Sequence, residues 1–289
     1  RISVYRVSIY AHFLSFLIPL ELRMGSTPED PRTGLVLNSR YRITHRLGEG
    51  GMGVVYRGER LELQRPVAIK FLHSPYAKSQ KFVSRFQREA RAMSRLSHPC
   101  CVSVIDFGVH EAPYIVMDFV TGSTLRDVLD DGRIPTGRAL AIVRQILSGL
   151  SHAHGQGVVH RDIKPGNIML GEAAGMGDLV RIFDFGLAKL HDPGLDGEPS
   201  MAGIVGTPCY MAPEQTRGDK VDARADLFAG GGGLWECLQN QKLFDGPTDA
   251  DVVHKVRDEA APALDAARVG ADLAALVARL WEKDPARRP

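Results

Sequence analysis

Residues 41–60, YRITHRLGEGGMGVVYRGER, constrain the fold more than any other stretch of the chain. β-Branched and aromatic residues flank the glycines at 48, 50 and 53 on both sides, which specifies strand, tight turn, strand. Such a hairpin can lay backbone N–H groups over phosphates because no side chain intervenes. The same glycine spacing marks dinucleotide-binding turns, but those need a helix directly after the glycines, and VVYRGE reads as a strand. A Walker A loop would need Gly-Lys followed by Ser or Thr, which is absent. An ordinary hairpin stays open at this point.

The next strand, RPVAIKFL (65–72), puts Val67, Ile69 and Phe71 on one face and Ala68, Lys70 and Leu72 on the other. Downstream, SQKFVSRFQREARAMSRLSHP (79–99) predicts a helix whose apolar stripe is Phe82, Phe86, Met93 and Leu96. Glu89 lies inside that stripe. A carboxylate on a buried face needs a partner, and Lys70 is the natural candidate, with its ammonium then held for phosphate oxygens.

A second helix, 137–154, carries Leu140, Val143, Leu147 and Leu150 and delivers the chain to VVHRDIKPGNIML (158–170). One short loop there holds Asp162, Lys164 and Asn167 between apolar strands, a density of polar groups that core packing does not explain. Further on, VRIFDFGLAKL (180–190) sets Asp184 after an apolar strand and before a glycine. Carboxylate and amide oxygens suit Mg²⁺, a hard cation that keeps waters and substrate phosphates in its shell.

Taken in order, GEGGMGVV, VAIK, Glu89, HRDIKPGN, DFG and APE (212–214) resemble the successive motifs of the eukaryotic-type (Hanks-type) serine/threonine protein kinase family. GEGGMGVVYRG and GTPCYMAPE resemble its bacterial members. The resemblance spans about residues 40–289. It implies an α+β, two-lobe fold: an N-terminal extension and linker (1–39), a small β-rich lobe with one helix (40–120), and a larger, mainly helical lobe (121–289). It also implies roles. Leu47, Gly48, Glu49, Gly50, Gly51 and Gly53 would cover ATP, with Val55 and Ala68 above the adenine and Met169 beneath it. Met117 would be the gatekeeper, and Asp118 to Val120 the hinge. Lys70, positioned by Glu89, would hold the α- and β-phosphates, while Asn167 and Asp184 would hold Mg²⁺. Asp162 would accept the substrate hydroxyl proton and Lys164 would steady the γ-phosphate. Thr207 would contact both. Glu214 pairs with Arg288 in the family pattern, and Asp226 bonds the backbone around His160 and Arg161.

HRDIKPGN and Thr207 resemble serine/threonine rather than tyrosine kinases, so the implied substrates are protein hydroxyls. Arg161 beside Asp162 implies activation by phosphorylation of the loop before Thr207, where Ser200 is the best-placed acceptor, with a kinase dimer acting in trans. Two other classes compete: a nucleotide-binding, pseudokinase-like scaffold, against which Lys70, Asp162, Asn167 and Asp184 count, and a small-molecule phosphotransferase, against which the APE and GTPCY segments count.

Charge and cysteines narrow the partners. With 36 Lys and Arg against 34 Asp and Glu, the net charge is +2, which argues against nucleic acid as the main partner. Four cysteines, two of them adjacent, form neither a disulfide framework nor a zinc spacing, which reads as a reduced, cytoplasmic setting. Residues 1–23 include an apolar run, IYAHFLSFLIPLEL, too short to span a bilayer. It is either an upstream extension or gene-model artefact, or an amphipathic segment through which membrane contact would come. The chain stops at Pro289, so the family's last helix is expected to be missing or truncated.

One departure stands out. DLFAGGGGLWECL (226–238) falls where the family has a long buried helix. Gly231 is ordinary in that pattern, whereas Gly230, Gly232 and Gly233 replace apolar residues. Each excess glycine costs about 1 kcal/mol against alanine. Close backbone packing, a marginal large lobe and a sequence error are the three explanations.

Overall fold

The structure, a computed structural model, describes residues 30–50, 53–73, 80–173, 177–185 and 207–289. Gly51, among the nucleotide-covering residues, and Ser200, the candidate phosphosite, lie outside them.

Alternation in the first half produces a six-stranded antiparallel sheet: β1 (Val36–Leu37), β2 (Tyr41–Gly50), β3 (Gly53–Arg60), β4 (Arg65–Leu72), β5 (Val104–His110) and β6 (Ala112–Asp118). Its order is β1-β2-β3-β4-β6-β5. The glycine-rich hairpin closes where Gly50 faces Gly53. A side chain at 53 is excluded, because a Cβ there would sit 2.0 Å from the Phe71 carbonyl oxygen. One sheet face buries Tyr41, Ile43, Tyr56, Val67, Ile69 and Phe71. The other faces helix α1 (Gln80–Met93), whose Phe82, Phe86 and Met93 join Leu72, Ile115 and Met117 in the main core.

Residues 30–39, expected as linker, cap the outer face of the sheet. Leu37 is fully buried, the Arg32 guanidinium lies 4.5 Å from the Phe71 ring centroid, and the Tyr56 hydroxyl donates to Asp30 at 3.1 Å. Their polar composition conceals this, because the packing runs through an arginine stem and a tyrosine ring.

The second half is mainly helical: α2 (Leu125–Asp130), α3 (Thr136–Gly155), α4 (Pro213–Arg217), α5 (Ala223–Gln239), α6 (Asp249–Asp258), α7 (Ala266–Val269) and α8 (Ala271–Leu280). A small sheet, β7 (Ser123–Thr124), β8 (Ile168–Ala173) and β9 (Gly177–Ile182), lies between the catalytic loop and α3. Helix α3 buries Ala139, Ile142, Val143, Ile146, Gly149 and Leu150. The predicted stripe is thus half right: Val143 and Leu150 are inside, while Leu140 and Leu147 are exposed. Small residues turn the helix, since a Cβ on Gly149 would come within 3.2 Å of Cys100 and 3.0 Å of Ile182. On the outer edge of β9, the Gln145 amide accepts from Val180 N–H at 3.2 Å and donates to the Asp178 carbonyl at 2.9 Å.

The glycine run is helical. Asp222 caps the N-terminus of α5 by accepting from the Arg224 N–H, and Asn240 ends the helix in the left-handed conformation. Close packing explains one glycine of the four. A Cβ on Gly231 would lie 2.7 Å from the Trp281 indole nitrogen and 3.1 Å from Leu280 Cβ. At Gly230 and Gly233 a Cβ would meet nothing within 4 Å, and at Gly232 only the Tyr210 ring at 4.0 Å.

Candidate active site

The loop after α3 is held from below by one carboxylate. Asp226, on the first turn of α5 and 1% exposed, accepts the backbone N–H of His160 at 2.9 Å and of Arg161 at 2.8 Å. His154, in the last turn of α3, approaches the same carboxylate at 2.7 Å. These bonds accommodate Arg161 at φ +69°, a conformation uncommon for a side-chain-bearing residue. The fully buried His160 ring accepts the Asp162 N–H at Nδ1 (3.2 Å), so Nε2 carries the proton and donates to the Phe183 carbonyl at 2.9 Å. A single imidazole therefore joins the catalytic loop to the segment bearing Asp184.

Above this base, three polar side chains converge. Oδ2 of Asp162 accepts from Lys164 Nζ at 2.7 Å and from Asn167 Nδ2 at 3.0 Å; the same Nδ2 also reaches the Asp162 carbonyl at 2.7 Å. Oδ1 of Asp162 has no hydrogen-bond donor among the described residues. Asn167, committed through Nδ2, keeps its amide oxygen for another partner.

Across the cleft, Lys70 on β4 is 5% exposed, and its ammonium pairs with the Asp184 carboxylate. Glu89, the expected partner of Lys70, sits instead beside Arg88, with Nε at 3.4 Å. It remains on the buried face of α1, as its place in the stripe predicts. Asp184 adopts φ +65°. The Phe185 ring that follows packs 4.7 Å from the His160 ring.

The nucleotide-covering positions share one face of the sheet. Val55 stands opposite Lys70, and Ala68 opposite Met117. Leu47, Gly48, Glu49 and Gly50 are exposed on the hairpin, where Glu49 bonds Arg46 and reaches His73 at 3.0 Å. Asp118 is exposed at the end of β6, Val120 half-buried in the crossing segment, and Met169 half-buried on β8. Thr207, half-buried, precedes the turn Pro208–Tyr210. Glu214 and Arg288 form a buried pair at 2.6 and 2.8 Å.

Two residues at the site escaped the sequence reading. His154 supports Asp226, and Gln215 ties the loop to the APE segment, donating to the Arg161 carbonyl at 2.7 Å while accepting the Ala212 N–H at 2.9 Å. Gln215 sits directly after APE, the one signal that pointed to it.

Comparison with known proteins agrees with this geometry. The family model described as "Protein kinase domain" matches residues 41–289. Serine/threonine-protein kinase pkn2 of Myxococcus xanthus is 42% identical over 264 residues, 88% of this chain and 31% of that protein. Serine/threonine-protein kinase PknB of Mycobacterium tuberculosis is 36% identical over 260 residues, 87% of this chain and 41% of that protein. The chain therefore spans less than half the length of these two relatives. The solved kinase domain of PknI from M. tuberculosis superimposes with a TM-score of 0.68 at 28% identity, covering 89% of this chain and 93% of that one. The chain belongs to the eukaryotic-type serine/threonine protein kinase family and is similar to its bacterial members.

Proposed function

We propose that this chain transfers the γ-phosphate of Mg-ATP to serine and threonine hydroxyls of proteins. The observation that carries the reading is the Asp162 carboxylate, one oxygen fixed by Lys164 and Asn167 and the other left for a hydroxyl proton. The residues present fit the metal. Asp184 contributes a carboxylate and Asn167 an amide oxygen that no donor among the described residues occupies, a hard-oxygen pair suited to Mg²⁺. Held by Asn167 and Asp184, Mg²⁺ would supply neutralisation of the phosphate charge.

The chain's own groups do the rest. Lys70, kept at the cleft by Asp184, offers a buried ammonium to the phosphates. Lys164 lies against Asp162, so one cation serves both the base and the transferring group. Oδ1 of Asp162 accepts the hydroxyl proton as the new P–O bond forms and the bond to the leaving oxygen breaks. Val55, Ala68, Met117 and Met169 supply apolar surface for the base. Thr207, in the GTPCY segment that resembles serine/threonine kinases, supports the serine/threonine assignment. Residues 40–120 and 121–289 act as the two lobes. We assign activation to phosphorylation at Ser200 by a second copy of the kinase, and the working compartment to the cytoplasm. Membrane contact would come through residues 1–23 or segments outside this chain. Among the described residues, no helix is long and apolar enough to cross a membrane.

The test is transfer from labelled ATP with Mg²⁺ to a generic protein acceptor, by the wild type and by Asp162→Asn. Serine and threonine labelling that falls about 10²- to 10⁴-fold in the variant is the expected result. Nucleotide binding by the wild type without any transfer would establish the scaffold reading instead.

A further inference from the structure

Beyond Val55, the cleft face of the sheet continues to a residue with no assigned role. Cross-strand partners share a face, and β3 sets Val55 opposite Lys70 and Arg57 opposite Ala68, which in turn stands opposite Met117. Arg57 therefore lies on the same face as Lys70, two residues nearer the crossing segment. Its side chain is exposed, yet the guanidinium carbon sits 4.8 Å from the ring centroid of Phe119, the first residue after β6. Among the described residues Arg57 has no carboxylate partner. Strand β4 lies between β3 and β6, so the stack bridges two inter-strand spacings, roughly 9–10 Å. The small side chain of Ala68 beneath leaves room for the arginine stem to cross.

We propose that Arg57 and Phe119 form a strap across the outer mouth of the nucleotide cleft, which makes Arg57 a positioning residue that sets nucleotide affinity. The proposal rests on the Mg-ATP reading. Strand β3 carries the glycine-rich hairpin, and Phe119 belongs to the segment joining the lobes. The stack holds one against the other before nucleotide arrives. Without it, binding must order the hairpin as well as form contacts, and affinity falls. The chemistry at Asp162 is untouched, so the loss belongs to nucleotide binding and not to turnover.

The experiment uses the 289-residue chain and MgADP titration, with ATP kinetics alongside. Arg57→Leu is expected to weaken MgADP about two- to fivefold, the strength of an exposed cation–π contact. It should raise KM for ATP to match, at unchanged kcat. Arg57→Lys should recover part of the affinity. Because the two residues act as a unit, Arg57→Leu should add nothing in a Phe119→Leu background. Unchanged affinity in Arg57→Leu, or a full effect in the Phe119→Leu background, overturns the strap alone. Failure of the wild type to bind any adenine nucleotide overturns the Mg-ATP reading and the strap with it.

Discussion

Arg288 grips Glu214 with both terminal guanidinium nitrogens, at 2.6 and 2.8 Å, across 74 residues of chain. The arginine side chain is wholly buried and also donates to the backbone carbonyls of Glu282 and Arg224, at 2.8 and 3.1 Å. Its guanidinium carbon lies 4.9 Å from the Phe228 ring centroid. Removing one partner strands a charge in the core, so Arg288→Met should cost about 3–5 kcal/mol. Urea denaturation measures this. A loss below 1 kcal/mol would show that the pair is not what joins the last turn to the APE segment.

The four glycines of α5 should respond in opposite directions. Gly230→Ala adds a methyl where nothing lies within 4 Å, and should raise stability by about 1 kcal/mol through helix propensity alone. Gly231→Ala drives a methyl against Trp281 and Leu280 and should lower it by about 1–3 kcal/mol. Thermal melting of the two variants side by side decides the matter; shifts of the same sign would refute it.

Asp226 is expected to matter for turnover more than for nucleotide binding. Asp226→Asn keeps the shape but replaces one accepting oxygen with a donor, against two loop N–H groups that both need acceptors. A catalytic loop displaced by about 1 Å loses on the order of 100-fold in rate. kcat should fall accordingly while KM for ATP stays within about threefold. Equal losses in both constants would contradict the anchoring role.

Stability should fall above pH 9. Burial pushes the thiols of Cys101 and Cys237 up to about 12 and that of Cys209 up to about 11. Unfolded thiols release their protons near pH 9, so above that the unfolded state binds fewer protons and is favoured. Each thiol contributes a loss of about 1.4 kcal/mol per pH unit until its folded value is reached. Lys283 opposes them. Burial lowers its amine to about 8, which adds stability as pH rises from there to 10.5. Three thiols outweigh one amine. Melting temperatures measured from pH 9 to 11 under reducing conditions should slope downward, and Cys101→Ala with Cys237→Ala should flatten the slope. An unchanged slope in that double variant would rule the thiols out.

Local patterns carried much of this in advance. Glycines between β-formers predicted the hairpin, and HRDIKPGN predicted a cluster now seen at 2.7–3.0 Å. The ion partner of Lys70 was not legible, because the choice between Glu89 and Asp184 depends on how α1 and the Asp184 segment approach β4. Nor was the face of α3, where Leu140 and Leu147 look as apolar in sequence as Ile142 and Ile146, which together with Ala139 and Gly149 actually turn inward. Arg57 reads as an ordinary exposed strand residue until β6 ends beneath its side chain.

The Gln145 amide matters beyond the fold of one molecule. Strand β9 is the last strand of its sheet, and its outer edge pairs with residues 100–102 only at Ile182, through Ile182 N–H to the Cys100 carbonyl and Val102 N–H to the Ile182 carbonyl, both at 2.8 Å. One side-chain amide already satisfies the N–H of Val180 and the carbonyl of Asp178, in the pattern a neighbouring strand would use. The same side chain that ties β9 to α3 thus takes up two backbone groups that another strand would need at that edge.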